Sequence, residues 1–189
     1  MATNNNSILA FKEGFNGGTR ANRFIVIPTW PSLEKIKINN TETSFKMVSA
    51  SLPAVQINTI SVPYRGRNIT YAGDRAYTTW AVGIYDDNNV DNIWKNMHKW
   101  VELMDGHVNH QVVNEDYSYK SLQTTWIVKQ LDLNGNVIKM INLYRCWPSV
   151  VGEINLNMGE AGLVGFSTSL TFDYLKISDN FNDPLPKDN

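Results

Sequence analysis

Gly165-Phe-Ser-Thr-Ser-Leu-Thr-Phe-Asp-Tyr-Leu-Lys-Ile177 decides the fold class. Phe166, Leu170, Phe172 and Tyr174 fall on one side of an extended backbone, and Ser167, Ser169, Thr171 and Asp173 fall on the other. Strict period-two alternation marks a half-buried β-strand rather than a helix. The exposed side is small and hydroxylic rather than charged. Asn, Ser and Thr together supply 48 of the 189 residues, while charged residues are only 19%. Uncharged polar residues interleaved with apolar ones suit pleated sheets.

Working toward the N-terminus, Val137–Trp147 and Lys120–Leu133 flank Asn134-Gly135-Asn136, which predicts a hairpin because both Asn and Gly tolerate positive φ. Both strands are apolar on two faces. Trp126 and Val128 oppose Ile127 and Leu131, and Ile141 and Leu143 oppose Met140 and Tyr144, so both faces must be covered. Further strands are predicted at 23–28, 44–51, 55–64, 66–72 and 77–85. One helix interrupts them, over 90–105, with Val90, Ile93, Trp94, Met97, Val101 and Met104 as its apolar stripe. Asp87, Asn88 or Asn89 can cap its start, and Gly106 sits where it stops. The class is mainly β with one helix. One domain spans 23–177, between an N-terminal arm (1–22) and a C-terminal tail (178–189).

Seventeen basic and eighteen acidic residues leave a net charge of −1, which argues against a large basic nucleic-acid face. The sum hides a split. Residues 1–85 hold nine basic and four acidic groups, and residues 86–119 hold two and seven. Arg65, Arg67 and Arg75 cluster with Asp74 as the only opposing charge. They read as an anion site, as partners of the acidic stretch in a neighbouring copy, or as partners of it within one subunit. Head-to-tail association needs two different complementary patches on one chain.

Catalytic constellations are not evident, and no cofactor is expected. His107, His110, Glu115 and Asp116 hold metal-type side chains but lack an evident third fixed ligand, so a polar loop is the expected reading. His98 is expected to be a partly exposed helix residue. Cys146, the only cysteine, lies within a strand and reads as an inert core thiol. No apolar run is long enough to span a membrane, and the first residues lack the pattern of a secretory signal. Trp30 and Trp100 are expected to be the exposed tryptophans on which a glycan-binding β-sandwich module would depend.

Several segments, in order, resemble the tail tube proteins of contractile-tailed bacteriophages (myoviruses). They are Arg23-Phe-Ile-Val-Ile-Pro28, Phe45-Lys-Met-Val-Ser-Ala-Ser-Leu-Pro-Ala54, Tyr64-Arg-Gly-Arg67 and Ala72-Gly-Asp-Arg-Ala-Tyr-Thr-Thr-Trp80, running on to Tyr85-Asp-Asp87. Gln130-Leu-Asp-Leu-Asn-Gly135, Trp147-Pro-Ser-Val-Val-Gly152 and Phe166–Tyr174 complete the series. Asn155-Leu-Asn-Met158 departs from it, since members often carry a tryptophan there.

The resemblance implies a β-sandwich or barrel of two antiparallel sheets with a flanking helix. Such subunits form hexameric rings that stack head to tail into a hollow tube, sheets from neighbours joining around the lumen. Implied partners are other copies, the tail sheath, the tape measure protein, a baseplate tube initiator and a tail terminator, with DNA only passing through. The protein would be made in the host cytoplasm and reside in the virion. A tube subunit of a phage-like injection particle or type VI secretion machine is the nearest alternative. A conduit must not grip DNA, so the lumen is expected to present Asn, Ser, Thr and carboxylates. Arg65, Arg67, Asp74 and Arg75 are then expected at subunit contacts.

Overall fold

The structure is a computed structural model that describes residues 8–15, 17–32, 36, 38, 40–107, 119–159 and 161–178. In chain order it contains α1 (Ile8–Phe15), β1 (Phe24–Ile27), α2 (Asn40–Ser44), β2 (Met47–Ala50), β3 (Val55–Tyr64), β4 (Arg67–Tyr77) and β5 (Trp80–Tyr85). Then follow α3 (Ile93–Met104), a 3-10 turn at Tyr119–Leu122, β6 (Thr124–Leu131), β7 (Val137–Val151), β8 (Gly165–Thr171) and β9 (Tyr174–Ser178).

Seven strands form one antiparallel sheet in the order β1-β6-β7-β8-β5-β2, with β9 also on β7. The sheet folds over on itself about β7. The first half of β7 pairs with β6 and β9, and its second half pairs with β8. The fold line is marked by Arg145, which takes φ 56°, and by the break between β8 and β9 at Phe172–Asp173. Register runs straight through this corner, from Trp147↔Thr171 to Tyr144↔Tyr174. The Asp173 amide donates to the Tyr144 carbonyl (3.1 Å), and the Arg145 guanidinium reaches Asp173 Oδ2 at 3.4 Å.

The stretch that decided the fold class is therefore extended, with one correction. The corner inverts its alternation. Phe166, Leu170 and Phe172 are buried, but Tyr174 turns outward to stack on Tyr144 (4.6 Å), and Leu175 packs against the core instead.

Both halves close over a shared core. Trp126, Val128, Ile141 and Leu143 meet Trp80, Val82, Ile84, Phe166 and Leu170, joined by Ile93, Met97, Trp100 and Leu103 from α3. Tryptophan rings run edge-on through it, Trp80 to Trp126 (6.1 Å), Trp126 to Trp30 (5.8 Å) and Trp30 to Trp100 (5.8 Å). Three of these indoles donate to carbonyls, of Ser51, Thr29 and Leu122, which lets a polar N–H sit in the interior. The expectation that Trp30 and Trp100 are exposed is overturned. They are 7% and 0% exposed because they join the helix to the sheets. The opposite face of the same central strands is also buried at Ile127, Met140, Asn142 and Tyr144, as two-faced apolar strands require.

The helix is shorter and turned relative to the expected stripe. Asn92 caps it, its side chain accepting from the Lys95 amide at 2.9 Å, so Val90 lies in the preceding loop and is exposed. The buried positions are Ile93, Asn96, Met97, Trp100 and Leu103. Buried Asn96 is satisfied by the carbonyls of Asp91 and Asn92.

The hairpin predicted at Asn134-Gly135-Asn136 is present, with Leu131 pairing with Val137, and of these turn residues only Gly135 takes positive φ (92°). Asp132 organises it, accepting from the amides of Asn134 and Asn136 at 2.8 Å each. These bonds, led by that from the Asn136 side chain, hold the Asp132 carboxyl below its ordinary range.

Candidate assembly surfaces

Two features stand apart from the closed core. The first is the ribbon β3–β4, a sheet of its own. It prolongs the β2–β5 pair and is anchored at its base by Tyr77 against Phe172 (5.3 Å). Its turn is Arg65-Gly66, with φ 47° and 78°, the pair of positive values that a two-residue hairpin demands. Register places Ile60, Val62 and Tyr64 beside Tyr71, Ile69 and Arg67 on one face. The other face holds Thr59, Ser61 and Pro63 beside Ala72, Thr70 and Asn68. The ribbon is thus amphipathic. Its five large apolar side chains on the first face are 40–57% exposed, which isolated subunits rarely tolerate in a contiguous patch.

All four residues singled out by charge lie on this ribbon and are exposed. Arg65 at the tip stacks over Tyr64 (5.4 Å), Arg67 pairs across from Tyr64, and Arg75 pairs across from Ile57. Asp74 sits where the register shifts, seven residues along β4 from Arg67, roughly 23 Å at ~3.3 Å per residue. It is out of reach of the tip arginines. Among the described residues none of the four forms a salt bridge. The acidic stretch after β5 is partly neutralised by lysines instead. Asp87 pairs with Lys46, and Asp91 pairs with Lys99 (3.2 Å) and Lys95 (3.6 Å). In the subunit Asp87 and Asp91 are thus paired with lysines rather than with the ribbon arginines.

The second feature is the outer face of the β2, β5, β8 and late-β7 half. These segments read Met-Val-Ser-Ala, Trp-Ala-Val-Gly-Ile-Tyr, Gly-Phe-Ser-Thr-Ser-Leu-Thr and Trp-Pro-Ser-Val-Val, with no ionisable group except the Tyr85 phenol. Ala81 pairs with Ser169 and Gly83 with Ser167, and the Ser49 hydroxyl lies over Gly83. The lysines within the sheet, Lys129, Lys139 and Lys176, lie on strands of the other half, where Lys176 sits over the Tyr144 and Tyr174 rings (5.6 and 6.0 Å).

Cys146 is buried, and loss of solvation pushes its thiol up to about 12, the setting of an unreactive core group. His98 packs on Trp94 (4.2 Å), with its Nε2 buried and without a hydrogen-bond partner among the described residues. Burial, then the nearby His107, lowers its pKa. His110, Glu115 and Asp116 lie outside the described residues, as do 1–7 and 179–189 of the arm and tail. Within the arm, α1 is helical, an element for which no helix was predicted. Among the described residues no helix is long and apolar enough to cross a membrane.

A β core with an exposed amphipathic ribbon projecting from it is the pattern of a subunit built for association. The family model described as "Phage tail tube protein" matches residues 20–178, and the chain belongs to that family. As a member of that family it is a structural component of a phage virion. The tail tube protein of Serratia phage KSP90 is 29% identical over 160 residues, covering 84% of this chain and 86% of that one. Tail tube protein gp19 of Enterobacteria phage T4 is 27% identical over 148 residues, covering 76% and 88%. A chain from the sheath-tube complex of an extracellular contractile injection system (PVC) shares the fold, with a TM-score of 0.55 at 12% identity, covering 91% and 99%. The injection-machine alternative is thus related in fold, and burial of Trp30 and Trp100 removes the platform of the glycan-binding reading.

Proposed function

We propose that the uncharged outer face of β2, β5, β8 and late β7 lines the lumen of hexameric rings stacked head to tail, and that the β3–β4 ribbon joins neighbouring subunits. The observation that carries this is the absence of Lys, Arg, Asp and Glu from all four strands of that half. Each phosphate that a wall neutralises strengthens binding, so a hydroxyl-lined wall lets a duplex slide where a lysine-bearing one would hold it. The ribbon would bury its Ile60, Val62, Tyr64, Ile69 and Tyr71 face on a neighbour. Arg65, Arg67 and Arg75, which form no salt bridge among the described residues, would find carboxylates there, with Asp74 as a further contact. Sheath, tape measure protein, baseplate initiator and terminator would meet other surfaces of the same tube.

Two measurements test this. Arg65→Glu, Arg67→Glu or Arg75→Glu should abolish rods in negative-stain images while circular dichroism and thermal melting stay those of the parent. Normal rods would remove the ribbon arginines from the interface. Ser169→Cys should react quickly with a bulky polyethylene-glycol maleimide as free subunit and slowly in rods. Equal rates would put that face on the outside.

A further inference from the structure

The two terminal strands of the sheet, β1 and β2, border an apolar cleft of about 500 Å³ lined by Phe24–Ile27, Ser44, Phe45 and Met47. Phe45 is 84% exposed at its rim. Ser44 donates to the Val26 carbonyl (2.5 Å), so the β1 edge is partly satisfied, and the remaining requirement is apolar cover rather than another strand.

The same chain carries an apolar helical face that is largely exposed among the described residues. Ile8, Phe11 and Phe15 of α1 follow the i, i+3, i+7 spacing of one helical face, and Phe11 stacks on Phe15 at 5.3 Å. None of the helix's residues is buried, and Ile8, Leu9, Phe11 and Phe15 are 60–76% exposed. A helix of eight residues is too short to be stable in water on its own, so its stability has to come from packing of that face. In its own subunit the chain leaving the helix passes the Leu133 side chain at Gly17.

We infer that α1 of one subunit docks its Ile8, Phe11 and Phe15 face into the β1–β2 cleft of a second copy. A helix laid over exposed strands is one way in which proteins cover sheet edges. The donor and acceptor surfaces differ, so every copy can give one arm and receive another. Such a contact propagates around a ring or along a stack rather than ending in a closed pair. The inference rests on the tube reading, since only an assembly of copies supplies the second cleft.

Cross-linking of the full chain tests it. Two pools, Phe11→Cys and Phe45→Cys, are mixed, allowed to form rods and treated with a short bismaleimide. Both sites are exposed, so folding is preserved, and Cys146 is buried and does not compete. The expected result is a cross-linked dimer from the mixed pools and a ladder from the double variant. In parallel, Phe11→Asp should need about tenfold more protein to form rods, the effect of weakening one contact by about 1.4 kcal/mol. Rods without intermolecular cross-links, or a double variant that closes only within one chain, would overturn the docking and leave the tube reading intact. If the unmodified chain forms neither rings nor rods, the tube reading falls, and the docking falls with it.

Discussion

Arg65 holds a backbone conformation, φ 47°, that asparagine or glycine adopts with far less strain. Strain of about 1–3 kcal/mol at a non-glycine residue persists where something other than monomer stability keeps it. Arg65→Asn should therefore raise the stability of the free subunit by up to about 1 kcal/mol, measured by chemical denaturation, while weakening assembly. If assembly improves instead, the side chain has no role at the ribbon tip. His98 makes the opposite kind of statement. Burial beside Trp94, and then the charge of His107, lower its pKa in the fold from 6.5, so the folded chain resists a proton that the unfolded chain accepts. Stability is then full above about pH 6.5 and falls as pH drops below it. His98→Gln should flatten that acid limb in denaturation midpoints taken across the range. An unchanged limb would assign acid sensitivity to other groups, Asp132 among them.

At the scale of elements, the join between α3 and the folded sheet runs through Gly152. Its amide donates to the Ser167 carbonyl (2.8 Å) and its carbonyl accepts from the Trp94 indole (3.3 Å). A Cβ there would lie 2.3 Å from the Ser167 carbonyl oxygen, a backbone atom that cannot swing aside. Gly152→Ala is expected to cost about 1–3 kcal/mol, read as a lowered melting temperature with weakened helix packing. A cost near zero would mean that the two strands separate there freely.

Which elements were legible in the sequence follows from what each one depends on. Period-two alternation revealed β5, because only one of its faces is buried, and the two-faced apolar runs of β6 and β7 stood out because both sides of these central strands are covered. It blurred at Phe172–Asp173, because the corner depends on where the chain changes layer, which neighbouring residues do not encode. The Arg65-Gly66 turn passed unnoticed, since arginine rarely takes positive φ and carries no turn signal. Helix phase was missed by about one position, because the Asn92 cap, and not Val90, sets its start. The arginines drew attention through charge alone. That they share an exposed ribbon while Asp74 stands far from two of them needed the register of β3 on β4.

Across the whole molecule, the distribution of charge refines the meaning of the net −1. The strand segments of one half carry no Lys, Arg, Asp or Glu, the strands of the other half bear Lys129, Lys139 and Lys176, and among the described residues the ribbon arginines form no salt bridge. Ser167→Lys combined with Ser169→Lys should leave the fold intact and make rods retain short duplex DNA at low salt, with release as salt rises. Rods that retain none would exclude this face from contact with the duplex.

The corner at Arg145 and Asp173 also has a mechanical side. Because β7 and the β8–β9 stretch both pass through the fold line, the two layers are joined by continuous backbone as well as by side-chain packing. A force that slides one layer over the other must stretch two polypeptide strands in register before the core shears. Pulling a subunit by attachment points on opposite layers should therefore meet higher resistance than pulling on the ribbon, whose hydrogen bonds can unzip one at a time. For a rod that must stay straight while it is driven forward, stiffness would reside in this bent pair of strands, and compliance in the protruding hairpin.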